Sequence, residues 1–350
     1  MIKYYTRACN FYYGSTSKDK IKKKLSLPLN GNNLISFDTI EIITRKNKKK
    51  INIGEIKNLN YKIKNKIKKD IKLITKKKKF KGLNFFNFPI LMGVVNLTPD
   101  SFSDGGKYNK KNLGFDHANY LIKKGCKIID IGGESTKPGA KDIDKITEWN
   151  RINKTLKKVS KLNIFISLDT RKSWIMEKGI KNKVNLINDV SGFDYDPFAL
   201  NILKKFNIPF VIHHMRGSPK TMQKKPSYKN VLLDIYDFFE HKIKKIRSLG
   251  IKHNNIILDP GIGFGKNLKH NMTLINNISI FHSLGFPIML GISRKRFIKD
   301  ISGNNDSKER LGGTISSSLY AMNQGIQILR VHDVNEVNQS IKVFKSLNFK

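Results

Sequence analysis

The 350-residue chain is short of acid, of cysteine and of long apolar runs. Against 67 lysines and arginines stand 27 aspartates and glutamates, a net charge of +40. No apolar run approaches the ~20 residues of a membrane helix, so no spanning segment is expected. The opening MIKYYTRACNFYYG holds no continuous apolar stretch of the signal-peptide kind. Cys9 and Cys126 lie far apart and show no metal-ligand spacing, which fits inert thiols in a reducing, cytoplasmic setting. The basic surplus invites a nucleic-acid partner. It is mostly lysine, however, accompanied by abundant Ile and Asn, a bias that an AT-rich coding sequence produces. Its plain reading is a solvated lysine surface whose stems cover apolar area. The most basic stretch, Lys62 to Lys79, also lacks the interleaved aromatics on which single strands stack.

The charge is uneven. Residues 1–86 hold 24 basic and 5 acidic residues, which marks a boundary near Leu83 to Pro89. Within this Lys-rich extension, Leu34 to Thr44 alternates as a strand, Ile51 to Ile53 would pair with it across Lys46 to Lys50, and Ile56 to Ile74 suits a helix. A small basic N-terminal α/β appendage is expected there, with residues 87–350 as the main domain. From Phe88 onward, strand-length apolar runs recur at Ile90–Val95, Ile128–Ile131, Ile164–Leu168, Val184–Ile187, Pro209–Ile212, Ile256–Leu258, Ile288–Ile292 and Ile326–Val331. Helical periodicity lies between them, for example at Phe115–Lys124, Trp174–Ile180, Pro197–Lys205, Tyr236–Leu249 and Thr314–Asn323. Eight strand–helix units over this length predict an α/β (β/α)8 TIM barrel, with a doubly wound open sheet as the alternative.

Each apolar run ends in a polar group: Asn96, Glu134, Asp169, Asn188-Asp189, His213-His214, Asp259, Ser293 to Lys295, and Arg330 with His332. In a barrel these ends converge on one face. A lone Asp ending a strand is most often a helix N-cap. Eight polar ends together point to a site. Asp169, Asn188, Asp259 and Lys295 mix acceptors, an amide and a cation, which suits a flat heterocycle with a guanidine-like edge. Arg330 and His332, two apart on an extended segment, project to one side and suit an anion. The other reading of His332 is a satisfied end-of-strand histidine, which Asp333 would orient. Asn96 offers a carbonyl oxygen to a hard cation or an amide to an anion.

The run MGVVNLTPDSFSDGG (Met92–Gly106) resembles the first signature of the dihydropteroate synthase family. DIGGESTKPGA (Asp130–Ala140), SLDTRK (Ser167–Lys172), INDVSG (Ile187–Gly192), HHMRGSPKTMQ (His213–Gln223), LDPGIGFGK (Leu258–Lys266), GISRKRF (Gly291–Phe297) and RVHDV (Arg330–Val334) continue the likeness in order and spacing. The extension loosely resembles a leader that some members carry. The resemblance implies condensation of 6-hydroxymethyl-7,8-dihydropterin pyrophosphate with p-aminobenzoate, giving 7,8-dihydropteroate and pyrophosphate. It implies a pterin pocket of Asp169, Asn188, Asp259 and Lys295, and a pyrophosphate and Mg²⁺ region of Asn96, Arg330 and His332. Two loops, Thr98–Gly106 and Thr136–Gly139, would close to form the aminobenzoate site. Asp104 and Thr136 on these loops join Asp169 and Lys295 as catalytic candidates. The backbone after Ser293 would meet the aminobenzoate carboxylate, and a homodimer through barrel helices would be usual.

Three positions depart from the family pattern. Lys137 stands where STRPGA would have Arg, which keeps charge but loses the planar fork. Altered loop ordering or aminobenzoate affinity is expected there, without loss of activity. His213 stands where Met is frequent, and Arg296 where some members have Ser. Other readings are a pterin-binding methyltransferase of the same barrel family, which would not need the SDGG and GESTKPGA loops, and a polyanion-binding role of the basic leader.

Overall fold

The computed structural model describes residues 2–85, 88–98, 112–136 and 139–349. The N-terminal residues form an antiparallel sheet. Its centre is β3 (Asn32–Ile43), paired along one edge by β1 (Tyr5–Tyr13) and along the other by β2 (Leu27–Leu29) and β4 (Lys48–Asn52). Helix α1 (Gly14–Lys22) follows β1, and α2 (Tyr61–Thr75) closes the unit. The helix expected over Ile56–Ile74 is broken at its start. Asn52 and Glu55 cap a 3-10 turn (Ile53–Asn58), and Asn60 then caps α2 by accepting the Ile63 amide at 3.0 Å. Strand β1 did not show in the sequence because polar residues sit on its buried positions. Thr6, for example, is fully buried and donates to buried Asp70 at 2.5 Å.

The main sheet holds β5 (Ile90–Asn96), β6 (Ile128–Gly132), β7 (Phe165–Asp169), β8 (Leu186–Asp189), β9 (Phe210–His213), β10 (Ile256–Asp259), β11 (Met289–Gly291) and β12 (Ile328–Val331). All pairings are parallel, in the order β10-β9-β8-β7-β6-β5-β12-β11. A parallel bridge between Leu258 and Ile288 joins the two ends, so the sheet closes into a barrel. Around it run α3 (Leu113–Lys123), α4 (Lys145–Val159), α5 (Ser173–Lys181), α6 (Ala199–Phe206), α7 (Val231–Ser248), α8 (Leu268–Asn276), α9 (Arg296–Ser302), α10 (Leu311–Met322) and α11 (Val334–Asn348). The open-sheet alternative is thereby set aside. The seventh unit carries two helices, α9 and α10, where the sequence showed the second.

Alternation along each strand separates two cores. Outward residues such as Leu91, Ile129, Leu168, Ile187, Ile212, Leu258 and Leu329 pack under the helices. Inward residues Met92, Ile128, Leu186, Val211, Ile257, Met289 and Ile328 form a second cluster near the strand starts, joined by Phe80 and Phe85 from the segment after α2. The lower barrel is therefore apolar and stoppered by two aromatic rings with centroids 5.7 Å apart. Inward positions nearer the strand ends are Asp130, Ser167, Asn188 and Asp259, all buried and polar.

The N-terminal sheet rests on the barrel's flank. Ser279 donates to the Ala8 carbonyl at 2.9 Å and Tyr13 to the Asn323 carbonyl at 2.7 Å. Tyr5 reaches Asp237 of α7 at 2.9 Å, and Arg45 spans Asp234 and Asp237. No helix among the described residues is long and apolar enough to cross a membrane. Phe85→Ala, which empties the stopper, is expected to lower unfolding free energy by about 3 kcal/mol. Chemical denaturation showing no loss would contradict this packing role.

Candidate active site

The strand register lines up the polar ends. Asn96 is level with Gly132, Gly132 with Asp169, and Asp169 with Asn188, across β5 to β8. Asp259 is level with His213. Gly132 supplies the space between: a Cβ there would stand 3.3 Å from Asp169 Cβ and 3.6 Å from Asn96 Oδ1.

Arg330 crosses the barrel interior. Its Nε donates to Asp130 Oδ2 at 2.6 Å and its Nη2 to Asp169 Oδ2 at 2.8 Å. Asn188 Nδ2 donates to the same Asp130 oxygen at 3.2 Å. One guanidinium thus ties the ends of β6, β7 and β12. The anion-binding role expected of Arg330 therefore starts from an arginine already engaged with two carboxylates. Burial pushes Asp169 up, to about 8, against the pull of Arg330. The fully buried Asn188 Oδ1 and Asp130 Oδ1 find no donor among the described residues. An orphaned buried acceptor is costly, and a ligand N–H is one way to satisfy it.

Asp259 accepts the Gly261 amide at 2.8 Å through one oxygen, and its other oxygen bonds no described residue. Burial lifts its carboxyl to about 6. Gly261, at φ +67°, lies so close to the His214 carbonyl that a Cβ would stand 2.0 Å from the oxygen. Only glycine lets this loop fold back over the barrel mouth. Lys295 lies over the Phe264 ring, 4.2 Å from its centroid, and its ammonium is pushed down to about 8 by burial and then by Arg330.

His332 does not pair with Asp333. Its ring Nδ1 and backbone N–H meet Ser293 Oγ at 3.1 and 3.2 Å, while Asp333 holds Arg294, with Nε donating at 2.9 Å. Burial and then Arg330 push His332 down to about 3, so it stays neutral. The orienting role expected of Asp333 is corrected. Arg294 at φ +58° brings its guanidinium there instead. His213 packs edge-on to Phe264, with Nδ1 3.0 Å from the Val190 carbonyl, and burial holds it neutral. It adds no charge near pH 7. Arg296 is exposed and pairs with Asp300 at 3.4 Å.

Thr136 is half-buried and makes no hydrogen bond to another described residue. Asp100, Asp104, Lys137 and Pro138 lie outside the described residues. The second loop's flanks are firmly held. Glu134 meets Arg171 at 2.8 Å and Lys172 at 3.0 Å, Lys172 also meets Glu148 at 2.6 Å, and Asp142 bridges Arg171 and Lys220. The Gly139 amide donates to the Pro219 carbonyl at 3.0 Å.

Sequence reasoning missed Asp130 as a site group. Its signal was a charge embedded in IIDIG, sharing strand parity with Gly132. For the metal, the described residues offer no group of three or more His, Cys, Asp or Glu side chains. A Mg²⁺ ion would have to be held in the form such ions usually take, largely by phosphate and water oxygens, with Asn96 as the side chain that would contact it. Removing the guanidinium by Arg330→Met should cost about 3–5 kcal/mol, since buried carboxylates lose their partner. Asp169 would be ionised at high pH and protonated at low pH, so the loss should be greater at pH 9 than at pH 6. Denaturation curves showing an equal loss at both would contradict this.

Residues 92–332 match the model of the pterin-binding enzyme family. The dihydropteroate synthase of Escherichia coli K12 is 38% identical over 259 residues, covering 74% of this chain and 91% of the relative. That of Bacillus subtilis 168 is 35% identical, covering 76% and 91%. Among solved structures, the Yersinia pestis dihydropteroate synthase in a sulfonamide drug complex superposes with a TM-score of 0.73 at 35% identity, covering 77% of this chain and 98% of that one. The Xanthomonas albilineans dihydropteroate synthase with 4-aminobenzoic acid gives 0.70 at 32% identity, covering 76% and 94%. A chain with these strand-end groups and these relatives belongs to the dihydropteroate synthase family of pterin-binding enzymes.

Proposed function

We propose that the chain condenses 6-hydroxymethyl-7,8-dihydropterin pyrophosphate with p-aminobenzoate to 7,8-dihydropteroate, with release of pyrophosphate. The reading is carried by two acceptor oxygens at the barrel mouth: the buried Asn188 Oδ1, which finds no donor among the described residues, and the Asp259 oxygen that the Gly261 amide does not hold. A pterin presents a 2-amino group and a ring N–H side by side, the donors such acceptors need. Lys295 is the donor for the pterin's O4 and N5.

The bond from the exocyclic methylene to the pyrophosphate oxygen breaks, and the aniline nitrogen forms the new bond and gives up a proton. Positive charge developing on the pterin methylene falls beside Asp169. Arg330 has N–H groups beyond the two given to Asp130 and Asp169, and with His332 it is assigned to the leaving group's charge. Asn96 would hold Mg²⁺, which would supply neutralisation of the leaving group's charge. Arg294's amide is already donated to Thr314 Oγ1 at 3.0 Å, so the aminobenzoate carboxylate is assigned to the amides that open α9 beyond it. Thr136, Lys137 and Asp104 are assigned to that second site, where their loops would exclude water.

The reading includes a cytoplasmic setting, on two buried, unpaired cysteines, and a homodimer. Exposed Ile301, Tyr320, Val343 and Leu347 on α9, α10 and α11 favour the barrel helices as the dimer surface. Asp259→Ala should weaken binding of the dihydropterin substrate at least about 100-fold by calorimetry. In the unaltered chain, affinity should fall about tenfold per pH unit below pH 6, as the Asp259 carboxylate takes its proton. Retained tight binding by the variant would overturn the pterin assignment.

A further inference from the structure

At the opposite end of the barrel from the strand-end site lies a second concavity of about 490 Å³. Its walls come from four separate segments: the chain leaving α2, the last turn of α7, the loop before β10 and the turn at Gly285 before β11. Six basic residues line it, Lys76, Lys77, Lys78, Lys79, Arg247 and Lys252, and no carboxylate among the described residues does. A concave wall lined by one sign of charge focuses its potential into the cavity.

The walls are fixed by contacts unrelated to charge. Lys78 is buried, and its Nζ donates to the Leu73 carbonyl at 2.5 Å and the His282 carbonyl at 3.4 Å. His253 stacks on Phe286 at 4.0 Å, with Nε2 3.1 Å from the Gly285 carbonyl. The Lys81 amide donates to the Asn254 carbonyl at 3.0 Å and ties the linker to the loop before β10. Burial, and then Lys76, push the Lys78 ammonium down to about 7, a cost that a bound anion would relieve.

We propose that this cavity binds a compact polyphosphate anion, such as inorganic triphosphate or the triphosphate group of a nucleotide, at the junction of the segment after α2 and the barrel floor. A compact anion carrying several charges can meet more of these cations at once than a single carboxylate or phosphate can, and lysine is an established phosphate partner. The volume is that of a small-molecule site. A nucleic-acid strand would need a track of cations with stacking aromatics, and these cations line a single concavity instead.

The test is calorimetric titration of inorganic tripolyphosphate into the full chain at about 0.15 M salt. The unaltered protein should bind one equivalent at this cavity. The variant Lys76→Ala/Lys252→Ala, at two exposed positions, should bind at least about tenfold more weakly while turning over substrate normally. Lys49→Ala/Lys50→Ala, on exposed β4, should change affinity less than about twofold. Adenosine triphosphate run in parallel distinguishes a bare triphosphate from a nucleotide. Unchanged affinity in the cavity variant would overturn the proposal, because binding would then lie elsewhere, the strand-end site included. Equal losses in both variants would overturn it in favour of diffuse charge. Tighter, equally cavity-dependent binding of an RNA oligomer with the same number of phosphates would replace it with a nucleic-acid site.

Discussion

A single guanidinium inside the barrel sets the arrangement of the site. Arg330 comes from the last strand and reaches carboxylates on the second and third strands, 200 and 161 residues earlier in the chain. Two acids of like charge would not stay in so dry a place without a cation between them. The cation in turn is tolerated there only because both acids are in place. Asn188 joins through Asp130, so four strand ends are held in mutual register before any substrate arrives. This is preorganisation in its plain sense: the polar groups need not be gathered at the moment of reaction.

The rest of the barrel supports that arrangement by separating polarity along its axis. Inward side chains near the strand starts are aliphatic and capped by Phe80 and Phe85, whereas those near the strand ends are acids, amides and bases. The same dryness that stabilises the lower half moves the titrations of the upper half. Asp169 and Asp259 are raised, Lys295 and His332 are lowered, and burial is the leading cause in each. His332 and His213 are therefore neutral hydrogen-bonding groups around neutral pH. The acids and Lys295, in contrast, lie within reach of a proton.

The barrel could be read from the chain because its signal is local. Each strand is a short apolar run that ends in polar residues, and the register brings Asn96, Asp169 and Asn188 level across β5 to β8. Asp130 was harder to see, because it sits inside a run and counts there as an exception to an apolar pattern. Its meaning appears only when the sheet closes and Arg330 arrives. The pairing of Asp333 with Arg294 instead of His332 depends on a left-handed backbone at Arg294, which no neighbouring glycine announces. The N-terminal sheet was legible in its central hairpin and not in β1, where buried Thr6 and Asp70 satisfy each other and blur the alternation. The clamps on the second loop, from Arg171 and Lys172 to Glu134, join residues nearly forty apart and follow from tertiary structure alone.

The most direct test of this account is turnover. Purified protein is given dihydropterin pyrophosphate and Mg²⁺, with and without p-aminobenzoate, and both pyrophosphate and dihydropteroate are followed. The account predicts dihydropteroate only when p-aminobenzoate is present, with one pyrophosphate released for each product formed. Pterin binding with no aminobenzoate-dependent product would contradict it.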